Sequence, residues 1–489
     1  MYIRFWKILT IFVVVLLFLS CNEKSTKKDI VATVDGKVIT AKEFRQRAEF
    51  TIRPEIFADE RIVLNNLIAE KILAIEAEKN SRTTKPEFMK NFITGLREQA
   101  MREKLYYTEV YNRISIDSAE VDSVYPLSNR TYELEFYNLG KKAMADSLAG
   151  LINGKPDQAI KIFDQIAAFD SVPKHTVNWQ DPDSYIIHDA LFSKPLKENQ
   201  VIGPLALEDN SYLIMKVLGW KYAPVIGPEA VASKRKEVQN KLKDKKAEKE
   251  WTRYMQTVMQ GKDIEFEPEI FNKLAELSFS VYSQGSLKDK PPLEEHSIQV
   301  EATNHALGEL TKDPAYKNVP FFTIDGTVWS IKKFMDEIAV HPLVFRQQKI
   351  FTLPEYKRQF RSAVADLVRD RYLTQIAYDK SLDKSDDVLQ TVSMWQDATL
   401  AQTQWYDYLE SLKKRPGFDP KNMKGINNYL GQYVDSLMTR YKQEISVNDE
   451  AFRKIKLTKI PMYVYKPGMP YPAAVPVFPQ LTLKREILY

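Results

Sequence analysis

The chain has 489 residues, 44% of them hydrophobic and 28% charged, with a formal net charge of +5. That length supplies two or three domains, and the composition is that of a globular protein rather than a disordered or fibrous one. So small a charge over so long a chain gives no reason to expect nucleic acid as a partner, and none is assigned.

The first element is MYIRFWKILTIFVVVLLFLSC. Arg4 and Lys7 precede a run from Ile8 to Leu19 that is apolar except for Thr10. As a helix that run spans about 18 Å, too little for a hydrocarbon core of roughly 30 Å. A secretory signal is therefore expected over residues 1–21. Cys21, the one cysteine of the chain, follows Ser20 directly, and the segment resembles a bacterial lipoprotein signal, although Phe18 stands where such signals usually carry leucine. The resemblance implies lipidation at Cys21 and attachment to a membrane of the cell envelope through acyl chains. Asn22 is not the aspartate associated with inner-membrane retention, which favours the outer membrane. With no second cysteine there is no intrachain disulfide. Residues 22–30 are a polar tether.

The folded part opens with a β-rich stretch from Val31 to Val34, an Asp35-Gly36 turn and Val38-Ile39; Asp-Gly between apolar runs is a two-residue hairpin signal. Thr40, with Glu43 three residues on, forms a capping box and predicts a helix from Ala41. The spacing of Leu64, Ile68, Ile72 and Ile75 predicts a helix from Asp59 to about Asn80, and helical periodicity resumes near Lys85. At Arg130 the character changes. Tyr132, Leu134 and Phe136 alternate with Glu133, Glu135 and Tyr137, which reads as a strand. Two helices, a Pro- and Asp-rich loop and two strands follow, so residues 130–222 predict a compact α+β domain. A long helix starts at Pro228, with proline in its first turn and Val238, Leu242 and Trp251 turned inward. Residues 281–320, polar and weakly periodic, predict a linker.

Beyond that stretch, FFTIDGTVWSIKKF repeats VATVDGKVITAKEF at an offset of 290, with Asp325-Gly326 on Asp35-Gly36 and Phe334 on Phe44. Leu367, Val368, Leu373 and Ala377 match Leu67, Ile68, Leu73 and Ala77. Near the ends, ISVNDEAFRKI from Ile445 matches IEFEPEIFNKL from Ile264. Three matched blocks in one order predict a duplication. The first helical module is 31–125 plus 225–280, interrupted by the α+β domain and closed by IEFEP; the second is 321–460. The expected fold class is thus mainly α with an inserted α+β domain. In the tail, residues 461–489, six prolines between Pro461 and Pro479 exclude helix and central strand. They leave an extended arm, or a polyproline-like segment that docks on a partner or across a client cradle.

The opening hairpin motif, the helices after it, the inserted domain and IEFEP together resemble the SurA/PrsA-type chaperone lipoproteins, parvulin-containing foldases of the bacterial envelope. The resemblance covers 31 to about 275, and its chaperone part recurs from 321 to about 457. NQVIGPLALEDNSYLIMKV resembles the closing motif of a parvulin, a peptidyl-prolyl isomerase fold, with Gly203-Pro204 and Ile214 to Val217 in register. In that frame Leu213 occupies the position of the family's second active-site histidine. The first strand carries no histidine; Glu133 or Glu135 stands nearest. Trp179 is kept from a glycine-tryptophan pair, and Asp183 and Ile187 fall on the proline-pocket methionine and phenylalanine. The substrate-binding residues implied are therefore Trp179, Ile187 and Leu213, with no catalytic residue assigned. A carboxylate at Asp183 serves an apolar prolyl ring poorly, and without both imidazoles the stabilisation of a twisted amide is largely lost. His175 and His188 are nearby in sequence and are the candidates for a relocated imidazole.

Other chemistries find no pattern. The histidines (His175, His188, His296, His305, His341) lack ligand spacing for a metal, there is no G-x-S-x-G, and neither a cofactor nor a metal is expected. The resemblance implies an ATP-independent, lipid-anchored chaperone on the periplasmic side of the envelope. It would hold unfolded envelope or outer-membrane client polypeptides, with a catalytically degenerate parvulin-like domain. An active isomerase with an altered site and a structural lipoprotein of an assembly complex are the alternatives.

Overall fold

The computed structural model describes residues 29–80, 86–140, 142–169, 172–181, 185–207, 211–284, 302–346, 350, 352–416, 418–419, 423–458, 462–466 and 468–485. The signal segment, Cys21 and Asp183 lie outside the described residues. The chain divides into two units: residues 106–257 form a sheet unit, and the chain up to Leu105 and from Val258 onward forms a helical unit.

The strands, in chain order, are β1 (Ile30–Val34), β2 (Lys37–Thr40), β3 (Arg130–Leu139), β4 (Lys174–Asn178), β5 (Val201–Ala206), β6 (Tyr212–Tyr222), β7 (Ile264–Phe266), β8 (Pro320–Ile324), β9 (Thr327–Ser330) and β10 (Ile445–Val447). The two Asp-Gly turns join β1 to β2 and β8 to β9. Both of their residues take positive φ: Asp35 45° and Gly36 85°, Asp325 51° and Gly326 70°. That pair of left-handed residues matches the twist of a tight hairpin, which is why Asp-Gly sits there. Each hairpin then runs into a capped helix. Thr40 Oγ1 accepts from the Glu43 amide at 3.1 Å and starts helix Ala41–Glu49; Ser330 Oγ accepts from the Lys333 amide at 3.2 Å and starts helix Ile331–Val340. Phe44 and Phe334 are fully buried in the first turn of their helices.

The closing strands are exchanged. IEFEP does not close the first hairpin: β7 pairs with β8, Ile264 opposite Ile324 and Phe266 opposite Phe322. β10, from the end of the second repeat, pairs with β1 instead, Ile445 opposite Val34 and Val447 opposite Ala32. The sheet orders are β10-β1-β2 and β7-β8-β9. Backbone ladders are indifferent to sequence, so side-chain fit decides the partner. The Phe266 ring meets Phe322 at 5.6 Å, Phe321 at 5.7 Å and Phe271 at 4.9 Å, whereas Val447 faces the small Ala32. A phenylalanine fits the Phe321-Phe322 hairpin, and a valine fits the Val31-Ala32 one.

Two further expectations shift. The stretch read as a linker contains a helix at 302–310, whose Ala302, Ala306, Leu307 and Leu310 are buried in the core around β8. Its signal was weak because alanines carry half of its apolar face. Residues 106–125 and 225–257, expected in the first helical module, belong to the sheet unit. There Val121, Val124 and Val238 pack on the sheet, because an apolar sheet face must be covered on both sides. The sheet order is β4-β3-β6-β5, all antiparallel. Helices Lys142–Gly154 and Pro156–Phe169 contribute to the core on one face, through Ala145, Ala159 and Phe163. The stretch expected to be a Pro- and Asp-rich loop contains strand β4 and helix Tyr185–Phe192.

Helix Glu60–Lys79 is the spine of the helical unit. Asp59 caps it, accepting from the Arg61 and Ile62 amides at 2.9 and 3.3 Å. It is buried on nearly every side, as an apolar helix inside a large core must be. Its charged residues are therefore paired in the interior. Lys71 Nζ donates to Glu43 at 2.7 Å and to Asp397 at 2.8 Å. Lys37 donates to the other Asp397 oxygen at 2.7 Å. Glu70 takes both ends of the Arg47 guanidinium at 2.5 and 2.8 Å. Removing one partner of a buried pair strands the other in a low dielectric, at a cost of about 3–5 kcal/mol. Lys71→Met is expected to lower stability by about that amount in urea unfolding, with the Glu43→Gln, Lys71→Met, Asp397→Asn triple variant recovering part of it. Equal stability of Lys71→Met and wild type would show the cluster to be dispensable.

Candidate functional site

Two places have the geometry of a site. The first is the face of the sheet unit that carries Leu213. Strand β6 sends Leu213, Met215 and Val217 to one face and Ile214 to the other. Leu213 is 6% exposed and Trp179 2%, and both share a buried cluster with Phe192, Val121, Val124 and Val238; Ile187 packs partly buried against it. The expected prolyl-binding residues are thus core residues. Glu133 and Glu135 are taken up in cross-strand ion pairs, with Lys221 at 2.8 Å and Lys174 at 3.4 Å. His175 lies exposed on the edge strand β4, opposite Leu134.

His188 is different. Its ring is buried between Trp179 (centroids 4.5 Å apart) and Phe192 (4.8 Å). It hydrogen-bonds the Trp179 backbone, while Nε2 has no partner among the described residues. Burial first, then the Lys241 and Lys245 charges, push its pKa down to about 4 against the Trp179 hydrogen bond and Asp189. Lys241 donates to the Trp179 carbonyl at 2.5 Å, and Lys245 pairs with Asp189. A cavity of about 220 Å³ is lined by Trp179, Tyr185, His188, Asp189, Lys241 and Lys245, among others. The imidazole is neutral at pH 7 and held by aromatic packing. The carboxylate beside it, Asp189, is tied to Lys245. Among the described residues no group of three or more His, Cys, Asp or Glu is placed to hold a metal ion.

The second place is a groove of about 1010 Å³ in the helical unit. Its walls come from helices Glu60–Lys79, Asp386–Lys413 and Met423–Arg440, through Leu73, Trp395, Trp405 and Leu430, with Ile56 and Phe57 at one end. The chain's own residues 476–484 form one side of it. This part of the proline-rich tail is not loosely packed. Phe478 is 2% exposed, edge-on to Phe57 at 5.7 Å. Its main chain is gripped by buried side chains. Asn66 Oδ1 accepts from the Leu481 and Thr482 amides at 2.6 and 3.0 Å, and Asn66 Nδ2 donates to the Thr482 carbonyl at 2.8 Å. Asn65 donates to the Lys484 carbonyl at 2.7 Å, and Arg47 to the Val477 carbonyl at 3.0 Å. Asn65, Asn66 and Arg47 are fully buried. Upstream, Tyr471 donates to the Val340 carbonyl at 2.6 Å and crosses helix Pro86–Glu109 at Gly95. A Cβ there would stand 2.1 Å from the Val340 carbonyl oxygen and 2.3 Å from the Tyr471 hydroxyl, so only glycine fits.

None of these groove residues was identified from sequence as a site. The available signal was Asn65-Asn66, two adjacent amides inside the apolar run IVLNNLIAEKILAI. A buried amide needs a polar partner, and that partner turned out to be a main chain more than four hundred residues away in sequence.

No protein-family model matches the chain, and no curated protein matches it. Solved structures match part of it. A SurA-like chaperone of Campylobacter jejuni, one of the pair PEB4 and the periplasmic protein Cj1289, is 17% identical, with a TM-score of 0.20 over 49% of this chain and 100% of its own. The foldase protein PrsA of Lactococcus lactis is 15% identical, with a TM-score of 0.17 over 44% of this chain and 86% of its own. PrsA of Streptococcus pneumoniae is 13% identical, with a TM-score of 0.17 over 45% of this chain and 87% of its own. Scores at this level do not establish a common fold.

The buried imidazole makes the sheet unit acid-sensitive. A histidine that titrates near 4 when folded and near 6.5 when unfolded takes up protons preferentially in the unfolded chain between those values. Its contribution is complete above about pH 6.5 and is lost as the pH falls toward 4. His188→Phe keeps a ring between Trp179 and Phe192 and removes the proton site. The melting temperature of the sheet unit's transition should therefore drop less between pH 7.5 and pH 5 in the variant than in wild type. Parallel pH profiles would mean that His188 does not titrate with unfolding.

Proposed function

We propose that the chain is an ATP-independent chaperone of the bacterial cell envelope, anchored through an acylated Cys21, which holds extended segments of unfolded client proteins. The observation that carries this reading is the groove of the helical unit. Its walls mix tryptophan, leucine and isoleucine with amides, and the tail that forms one side of it is held from behind by Arg47, Asn65 and Asn66 through main-chain carbonyls. An apolar trough lined by amides accepts many sequences, as a holdase requires. The lipoprotein-like signal and the resemblance of the doubled hairpin motif to SurA/PrsA-type chaperones support the same reading. The matching positions of the two capped hairpins support a duplicated module.

The sheet unit is proposed to serve shape or binding rather than catalysis. Trp179 and Leu213 are packed in its core, and His188 is held neutral. Uncatalysed X-Pro exchange takes tens to hundreds of seconds, so even slight catalysis is measurable. In one set of assays the full chain should suppress aggregation of an unfolded outer-membrane protein while speeding a prolyl tetrapeptide less than about twofold over that slow background. Ala398→Glu with Gln402→Glu, on the groove wall, should weaken suppression at least several-fold without changing the melting curve. Undiminished suppression would exclude the groove. A strong isomerase rate abolished by His175→Ala or His188→Ala would favour the enzyme.

The anchor has its own test. Cys21→Ala should leave the protein in the soluble fraction after carbonate washing of membranes, and persistence in the membrane fraction would contradict lipidation.

A further inference from the structure

We propose that a cleft of about 270 Å³ beside the second hairpin is a carboxylate site, which takes an Asp or Glu side chain flanked by apolar residues in an extended client segment. The inference rests on the reading of the chain as a chaperone but not on the groove. It adds a second client contact, one with a charge preference.

The cleft has aromatic walls and a cationic rim. Phe266 of β7 and Phe271 of helix Pro268–Gln284 line it, with ring centroids 4.9 Å apart. Helix Leu353–Asp379 contributes Lys357, Arg358 and Arg361. Positions 358 and 361, three apart, share one face of that helix. The Arg361 guanidinium lies over both rings, 4.7 Å from each centroid. A guanidinium that meets aromatic rings with its faces keeps its N–H fork for a carboxylate, which it binds bidentately.

These two guanidinia differ from the other cations of their helix. Lys357 pairs with Glu276 at 2.8 Å, Arg369 with Asp366 and Asp370 at 2.7 and 2.6 Å, and Arg371 with Glu337 at 3.6 Å. Arg358 and Arg361 have neither an ion pair nor a side-chain hydrogen bond among the described residues. The arrangement is not a by-product of the hairpin fold. In the matched frame, helix Leu353–Asp379 starts about two turns earlier than its counterpart Glu60–Lys79. Those added turns carry Arg358, and the strand that closes the first hairpin has Val447 where β7 has Phe266.

The surroundings select the occupant. Glu265, Glu267 and Glu269 adjoin the rings in sequence, are exposed and do not line the cleft; Glu265 and Phe266 point to opposite faces of their strand. Three exposed carboxylates at the mouth oppose an anionic membrane surface. A single carboxylate inside the cleft gains both arginines, and its apolar neighbours gain the two rings.

The test uses the full chain carrying Cys21→Ser and a fluorescein-labelled peptide, GSLFELFSG with both ends blocked, followed by anisotropy. Twin peptides carry glutamine or lysine in place of the glutamate. The glutamate peptide should bind about tenfold more tightly than the glutamine twin at low salt. Arg358→Gln with Arg361→Gln should abolish that difference while leaving the glutamine twin's affinity unaltered. Arg358→Glu with Arg361→Glu should reverse the preference, so that the lysine twin binds best. Lys312→Gln with Lys332→Gln removes the same charge from exposed positions elsewhere and should keep the wild-type preference. No preference in wild type, or an equal loss in the two charge-matched variants, would overturn the site. So would release from phosphatidylglycerol vesicles by the double Arg→Gln variant with peptide binding unchanged, which would make the face a lipid contact. Equal binding of a glutamine twin that ends in a free carboxylate would also overturn it, in favour of a chain end. If wild type suppresses aggregation without preferring glutamate, the site fails while the chaperone reading stands; if it does neither, both fail.

Discussion

Each hairpin of the helical unit has a central strand with one edge to fill, and the chain fills both edges from a distance. β1 waits for β10, more than four hundred residues later, and β8 takes β7 from the preceding helical segment. An unfilled edge exposes a row of amides and carbonyls that invites pairing with other chains. The helical unit therefore completes only when the far end of the sequence has returned to the beginning. Everything downstream of β10 is delivered to the first hairpin by that pairing. Residues 477–484 of the proline-rich tail are consequently positioned beside helix Glu60–Lys79.

That helix connects the closure to the groove. Its buried lysine ties Glu43 of the first hairpin's helix to Asp397 of helix Asp386–Lys413, and its Glu70 holds Arg47 against the Val477 carbonyl. Buried charges are a poor source of net stability, but they are intolerant of misalignment, because each lost partner leaves a desolvated charge. The cluster thus fixes the register of two helices, and with it the spacing of the groove walls. Of the polar groups that grip the tail, Asn65 and Asn66 lie on this helix and Arg47 is tied to it through Glu70. The architecture that makes the fold unique is also what aims hydrogen-bonding groups at a main chain.

The sheet unit reaches a different outcome with similar means. Its strand order and flanking helices give it two apolar faces, each covered. Val121, Val124 and Val238 pack with Leu213 on one face and stabilise the unit. His188 shows the cost of keeping an imidazole there: between two aromatic rings, with lysines nearby, it is held uncharged.

The sequence by itself determined the local features, because their physics is local. The Asp-Gly turns, the Thr40 cap, the Asp59 start and Asn80 stop of the spine helix, and the alternation of β3 all follow from a few neighbouring residues. The matched blocks were visible for the same reason. Which closing strand joins which hairpin was decided by tertiary fit, since IEF and ISV are alike as strands and differ only in how a phenylalanine or a valine meets the residue opposite. The burial of Trp179 and Leu213 depended on helices that the sequence allotted to another module. The 302–310 helix was hidden by its alanines. The tail's docking was least legible, because the bonds that Arg47, Asn65 and Asn66 make to its main chain leave no mark on the tail's own residues. Only the two adjacent asparagines in an apolar helix recorded it, and they name a need for partners without naming the partner; that is settled by which strand the end of the chain can reach.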